Sequence, residues 1–324
     1  MNKKTIVFFV ILLMYLLSAQ HIFSKTWDFC VFPYIGIERS VYEESFYYDE
    51  LSEHSEQMCS LLEWSEKPSY IIGLESTIRY KHFLFFADVS TKIPRKCGSM
   101  KDSDYWENGL KFNYSVNKNH LNSAFNVQTG ASYFFDFKFI QFAPYIKASY
   151  SYVSFSAKDG HGWYGSPSHT SDGKLHSWDS SYSHYYPDGK YHLAGVDYQN
   201  QTFYFMAGVE VQKILFNFWN TCLGFGIAPF TYSYVKDEHL GKSSNFFTED
   251  YIYNYFRNFQ WLYKNNFVLT ELCSLSTIIE CNLRLLTKGD DYINGYINSQ
   301  KGGESYKSLR FKVGGILYLL VVRC

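Results

Sequence analysis

Apolar and polar residues alternate along most of this chain with a period of two, the spacing of a pleated strand with two unlike faces. Around residue 140, Ile140, Phe142, Pro144, Ile146, Ala148, Tyr150 and Tyr152 fall on one side. Gln141, Ala143, Tyr145, Lys147, Ser149 and Ser151 fall on the other. Further on, Phe203, Phe205, Ala207, Val209 and Val211 oppose Tyr204, Met206, Gly208, Glu210 and Gln212, and Leu275, Thr277, Ile279, Cys281, Leu283 and Leu285 oppose Ser276, Glu280, Asn282 and Arg284. Turn-like breaks between such segments divide the chain into ten predicted strands, at 27–43, 57–79, 82–94, 118–137, 139–158, 197–213, 215–236, 251–271, 273–288 and 304–322. Several far exceed the roughly 5–6 residues usual for a strand in a soluble protein.

The connections fall into two classes. Tyr80–Lys81, Asp136–Lys138 and Lys213–Ile214 are tight, whereas 44–56, 95–117, 159–196, 237–250 and 289–303 are long. Short turns at one end, long loops at the other and an even number of long strands predict an all-β fold: a ten-stranded antiparallel transmembrane β-barrel of the outer-membrane type with long extracellular loops. Its apolar face would meet lipid, which offers no partner for charge, and its polar face would line the interior. A large soluble sandwich with one wet face is the alternative. Ahead of the first strand, Lys3 and Lys4, the apolar run Thr5–Leu17 and the small residues Ser18, Ala19 and Ser24 read as a secretory signal over 1–24, cleaved near Ala19 or Ser24. Residues 25–324 then form a single barrel domain. The last residues lack the terminal aromatic usual in barrel-assembly signals, and Tyr318 is the nearest candidate.

Composition narrows the function. The net charge of −1 gives no basic surface for nucleic acid, so no nucleic-acid partner is expected. A mean hydropathy of −0.24 excludes a helical membrane bundle, and the aromatic content is high at 20%, nearly all of it Tyr and Phe. Seven cysteines, an odd number, leave at least one unpaired within the chain, and no CxxC spacing supports a zinc ribbon or a thioredoxin-like site. Cys59 and Cys97 flank predicted loops and are candidates to pair; Cys222 and Cys281 read as packing residues within strands.

Two short segments carry the candidate chemistry. Asp102 and Asp104 lie in Met100-Lys101-Asp102-Ser103-Asp104-Tyr105-Trp106, and Asp237 and His239 lie in Lys236-Asp237-Glu238-His239. On extended backbone an i, i+2 pair faces one side. Two carboxylates opposite an Asp–His couple can activate water. The first pair follows the third predicted strand and the second follows the seventh, and both strands run toward the long-loop end. The inward positions of the seventh strand, Asn220, Cys222, Gly224, Gly226 and Ala228, have the opposite parity to Asp237 and His239. A bulge or register break between Pro229 and Lys236 is therefore required to turn the couple inward.

At these residues the chain resembles the omptin family of outer-membrane proteases. Met100–Trp106 is similar to the family's Met-x-Asp-x-Asp-Trp segment with the Trp displaced by one, and Asp237-Glu238-His239 matches its Asp-Glu-His segment. Tyr152-Val153-Ser154-Phe155-Ser156-Ala157 and Ala194-Gly195 fall where similar strings fall in the family. Leu62-Glu63-Trp64 resembles a Leu-Asp-Trp at the start of strand two, and Gly36 followed by Glu44 reproduces another family spacing. The resemblance spans about residues 27–320.

It implies an aspartic-type endopeptidase without a covalent nucleophile. Asp237 would orient His239, and His239 would act as general base on a water. Asp102 and Asp104 would hold that water from the opposite wall, one keeping a proton that it can donate as charge develops on the substrate carbonyl. Glu44 would attract an Arg or Lys side chain before the cleaved bond, with Met100 lining the same pocket. No cofactor and no metal are called for. The expected partners are polypeptide or peptide substrates and outer-membrane lipid, and the expected form is a monomer that crosses the cell outer membrane many times with its cleft facing outward.

The chain departs from the family at three places. Omptins selective for basic residues carry a second pocket acid two positions before the catalytic Asp, where this chain has Val235. At positions where omptins bind lipopolysaccharide through cations it has Tyr152 and Gln201, so lipopolysaccharide dependence is not supported. The loop 159–196 carries His161, His169, His176, His184 and His192 at nearly even spacing and is read as a polar cap over the cleft, a metal site being the alternative. Glu75, Arg79, Lys147, Glu210, Glu280 and Arg284 are expected to form a charge network inside the barrel. A catalytically silent barrel acting as adhesin, binding protein or narrow channel is the second functional reading.

Overall fold

The computed structural model describes residues 27–48, 53–178, 195–216, 218–240, 246–270, 273–293 and 295–321. The predicted signal segment, His184, His192, Ala194 and Cys324 lie outside these. Thirteen strands are present among the described residues: β1 (Trp27–Tyr47), β2 (Met58–Tyr80), β3 (Phe83–Lys92), β4 (Arg95–Tyr105), β5 (Lys111–Tyr133), β6 (Phe135–Asp136), β7 (Gln141–Tyr164), β8 (Val196–Phe216), β9 (Trp219–His239), β10 (Phe246–Asn254), β11 (Asn258–Thr270), β12 (Cys273–Ile293) and β13 (Tyr296–Val321). All pairings are antiparallel, and no described residue is helical.

β3 and β4 are the lower and upper halves of one stave, because β2 pairs with β3 along 71–80 and with β4 along 60–64. β11 and β10 are the lower and upper halves of another stave, lying between β9 and β12. The two-residue β6 merely continues β5 along the foot of β7. Ten staves remain, and β13 pairs with β1 to close the ring. This is the expected all-β barrel.

The strands run much further than the alternation predicts. β5 has 23 residues and β7 has 24, whereas a tilted strand needs only ~9–11 to cross a bilayer. Residues assigned to the loops 95–117, 237–250 and 289–303 are largely strand, and the links above them shrink to 106–110, 240–245 and 294–295. The paired backbone therefore continues well beyond the apolar band. At the lower end, Lys213 and Ile214 belong to β8 rather than to a turn, and β8 runs on to Phe216.

The two faces follow the alternation. Ile146 is 66% exposed on the outer wall, while the next residue, Lys147, is 6% exposed inside. Inside, charged and polar side chains cross from stave to stave. Lys147 Nζ donates to Gln260 Oε1 of β11 at 2.6 Å, and Arg284 of β12 donates to Thr202 of β8 at 2.7 Å. Glu38 is fully buried between Lys92 (2.9 Å) and Arg310 (2.7 Å), and Lys92 also holds Glu66. Glu38, Glu280 and Glu304 each lie against an Arg or Lys side chain, as an interior of this polarity requires. Of the six residues expected in this network, Arg79 lies apart: its guanidinium covers the Phe134 ring near the lower rim. Cys59 and Cys97, candidates to pair, are both free thiols; Cys97 is buried in the upper core and Cys281 is exposed.

Candidate active site

The upper third of the barrel is floored by one packed apolar layer. Trp64 of β2 stacks on Tyr198 of β8 (4.9 Å between ring centroids) and on Phe155 of β7 (6.0 Å), and all three are fully buried. Met100 of β4 and Val235 of β9 belong to the same layer. They stand two residues before Asp102 and two before Asp237. The floor under both motifs is therefore one continuous apolar layer.

Asp102 and Asp104 sit on strand β4, not in a loop. Asp102 shares its rungs with Leu62 and Ser115, and Asp104 with Ser60 and Asn113. Met100 pairs with Trp64, and both are buried in the floor, so the even-numbered side of β4 faces the lumen. That parity is reached by two compensating irregularities. Lys92 faces inward on β3, the chain breaks at Pro94, Cys97 faces inward, and the bulge at Gly98 (φ +83°) returns Met100 to the inner face. The Asn113 amide donates to Asp104 Oδ2 at 3.0 Å.

Asp237 and His239 close β9. The register break that the sequence requires is present at Pro229–Phe230: Ala228 faces inward, and beyond the break Thr231, Ser233, Val235 and Asp237 are the buried positions. On one side Phe205 pairs with Phe230 but Ala207 with Ile227. On the other, β10 and β11 part at Tyr255–Arg257, where Phe256 has φ +56° and its N–H donates to Ala228 O. Asp237 is fully buried. Its Oδ2 lies 2.7 Å from His239 Nε2, and its Oδ1 accepts a hydrogen bond from the Thr248 hydroxyl on the facing rung of β10. The His239 ring is edge-on to Phe246 at 5.2 Å, and its side chain is 21% exposed. The Asp237 carboxylate thus lies against Nε2 of the imidazole, and Nδ1 is the other ring nitrogen. Gly195 secures the neighbouring strand end. A Cβ there would meet Ala157 O at 1.6 Å, and its own carbonyl accepts the Leu240 N–H at 2.9 Å.

β4 and β9 are separated by three staves on one side and five on the other, so the two pairs stand on opposed walls above the shared floor. Glu44 lies within β1 and not in an acidic loop, and it is 1% exposed. Two acids escaped the sequence reading. Asp250 of β10 shares a rung with Val235 and, on its other side, with Asp291 of β12, and both are buried. They fall in segments taken for loops, so their inward direction emerges only once β10 and β12 are seen to continue upward. Burial raises the pKa of Glu44 well above the ordinary carboxylate value, and Asp237, Asp250 and Asp291 add to the rise; burial, Asp291 and Asp237 raise Asp250 likewise. His176 pairs with Asp172 (2.9 Å) on the long β7–β8 connection, and no group of three or more His, Cys, Asp or Glu side chains among the described residues is arranged to hold a metal. Tyr152 and Gln201 share a rung, with Tyr150 donating to Gln201 at 2.9 Å.

No protein-family model matches the chain, and no curated protein sequence matches it. Among solved structures, the outer membrane protease OmpT from Escherichia coli superposes with a TM-score of 0.75 at 14% identity, over 90% of this chain and 96% of that one. The translocator domain of the autotransporter NalP from Neisseria meningitidis (8% identity, 98% and 97% coverage) and OprG from Pseudomonas aeruginosa (11%, 90% and 96%) give TM-scores of 0.37 and 0.33. The chain has the fold of an outer-membrane β-barrel, and OmpT is similar to it over nearly the full length of both.

Proposed function

We propose that this protein is a surface-exposed endopeptidase of an outer membrane, in which His239 activates a water held against Asp102 and Asp104. The observation that carries this reading is the buried Asp237 placed 2.7 Å from His239 Nε2, with Thr248 on its other oxygen. A fully buried carboxylate that binds one ring nitrogen and is itself held by a hydroxyl fixes the direction in which the other nitrogen points. It also stabilises the imidazolium formed once a proton is taken. The dry aromatic floor strengthens each of these interactions by excluding water beneath them. Asp102 and Asp104, on the opposed wall, supply acceptors for the attacking water, and a retained proton on one of them supplies a donor for the carbonyl oxygen as it gains charge. Glu44 and Met100 line the substrate side of the site. A metal has no part in this scheme.

The test is cleavage of fluorogenic peptides by the full chain refolded in detergent micelles. Turnover by the parent, and its loss by at least ~100-fold in His239→Ala and in the Asp102→Ala/Asp104→Ala double variant, is the expected result. Undiminished turnover in these variants would reject the mechanism. A folded parent that cleaves none of a peptide library would favour the silent barrel serving as adhesin, binding protein or narrow channel.

A further inference from the structure

Beneath the aromatic floor the barrel encloses a cavity of about 70 Å³, bounded on one wall by Arg284 of β12 and Arg310 of β13 and on the opposite wall by Asn126 of β5. Both carboxylates in its wall are already supplied with donors. Glu38 accepts from Lys92 (2.9 Å), Tyr306 (3.1 Å) and Arg310 Nε (2.7 Å). Glu280 Oε1 accepts from Gln260 (3.0 Å) and Asn282 (2.9 Å), and Lys312 lies 3.5 Å from its Oε2. The donors are not all used. Arg284 Nε, Arg310 Nη1 and Asn126 Nδ2 are buried atoms with no protein acceptor within hydrogen-bond distance, the closest approach being Glu280 Oε1 at 3.6 Å from Arg310 Nη1. Both guanidinium groups are more than nine-tenths buried. A second cavity below shares Gln128 and Glu280 in its wall, and there the unmatched atom is an acceptor, Asp88 Oδ1. Buried donors left unmatched are costly, so a cavity whose unmatched atoms are all donors calls for a ligand that only accepts.

We propose that this cavity is an internal binding site for a halide-sized inorganic monoanion, held by Arg284, Arg310 and Asn126. Two of its three donors are cationic, and hydrogen bonds from charged donors are roughly twice as strong as neutral ones, which favours an anion over a water. The surroundings limit its charge. Glu66 and Glu304 hold Lys92 and Arg284 from outside the cavity, while Lys147, through Gln260, and Lys312 stand toward Glu280. Charge around the cavity is therefore close to balance, and a ligand with more than one negative charge would be repelled by Glu38 and Glu280. The volume has room for a halide and a few waters but not for an organic acid of sugar size. Bound there, the anion ties the β12–β13 wall to β5 across the lumen, a role in stability that does not depend on whether the cleft above cleaves peptides.

The experiment follows thermal unfolding of the full chain in zwitterionic detergent micelles at constant ionic strength, with chloride exchanged for gluconate, which is too large for the cavity. The parent's unfolding temperature should rise by at least about 3 °C between about 1 and 100 mM chloride, because a ligand bound by the folded state alone stabilises it by mass action. Asn126→Asp places a carboxylate in the cavity from Asn126's own position, so the chloride-dependent rise should disappear. Asn126→Leu removes the donor and supplies no charge, so the chloride titration should move to at least ~10-fold higher concentration; it carries the test if Asn126→Asp does not fold. Excess linewidth of the chloride NMR signal should fall in the same order, from parent to Asn126→Leu to Asn126→Asp. An unfolding temperature that is the same in gluconate as in chloride overturns the proposal, since water then satisfies the donors. A chloride response retained in full by both variants overturns it equally, since the halide then sits on exposed cations.

Discussion

At the residue scale the candidate site is a set of side chains whose value lies in what holds them. Asp237 has no solvent of its own, so the Thr248 hydroxyl is what satisfies its Oδ1. Thr248→Val preserves shape and removes the donor. Losing one hydrogen bond to a buried carboxylate costs about 1–3 kcal/mol, so kcat should fall roughly ten- to a hundredfold with the barrel intact, as read from peptide turnover and electrophoretic mobility without heating. Glu44 and Asp250 carry the opposite liability. Their folded-state pKa values are raised by burial and by neighbouring carboxyls. A carboxyl raised in this way favours folding below its unfolded pKa of about 4, and that contribution is lost as pH rises through the raised value. Asp250→Asn, which removes the need to ionise, should therefore raise the unfolding temperature in detergent, and its advantage over the parent should widen between about pH 4 and pH 7. An advantage independent of pH would contradict the assignment.

At the element scale the decisive features are irregularities. An unbroken β9 would carry its even-numbered inner face through to the top and turn Asp237 and His239 outward. The shift at Pro229–Phe230, matched by the break between β10 and β11, reverses this. Deleting Phe230 removes the extra residue, so a regular β9 should still place Thr231, Ser233, Val235 and Asp237 on the inner face and retain peptide cleavage, with the barrel migrating as a folded species. Gly195 acts at the other end of the same rungs. Gly195→Ala places a methyl group against Ala157 O, pushes the start of β8 off β7 and shifts the strand that pairs with His239. A loss of activity of about tenfold or more, together with a lower unfolding temperature, is expected. Pro229 itself marks the break, because a proline has no N–H to donate to the ladder of a central strand. That signal was legible in the sequence once the parity of Asp237 was compared with that of Ala228.

At the scale of the whole molecule, the barrel reconciles an apolar exterior with an interior crowded with paired charge. Ile146 and Lys147 are neighbours in sequence that face lipid and lumen respectively. Ile146→Lys puts a charge on the lipid wall and should cost about 2–4 kcal/mol in urea unfolding from lipid vesicles, whereas Glu53→Lys, at an exposed position above the barrel, should cost almost nothing. Wall-to-wall contacts such as Lys147–Gln260 and Arg284–Thr202 cross the interior and leave cavities between them, one beside Glu38, Arg284 and Arg310 and one beside Glu75, Lys147 and Lys264.

The alternation of apolar and polar positions determined the barrel, the number of its staves and the face each stave presents, because a period of two is a local property that lipid and lumen enforce along every strand. Spacing likewise made Asp102, Asp104, Asp237 and His239 legible as two i, i+2 pairs, and Pro229 as the place where the couple turns inward. Strand ends were not legible. Above the membrane the alternation loses its apolar half, so Glu44, Asp104, Asp250 and Asp291 read as loop residues, although backbone pairing carries their strands onward. Only the closed sheet decided which residues share a rung. Thr248 meets Asp237, and Asp250 meets Val235, through hydrogen-bonded register between strands. Adjacency of this kind is set by pairing across the ring and leaves no trace in the order of residues along the chain.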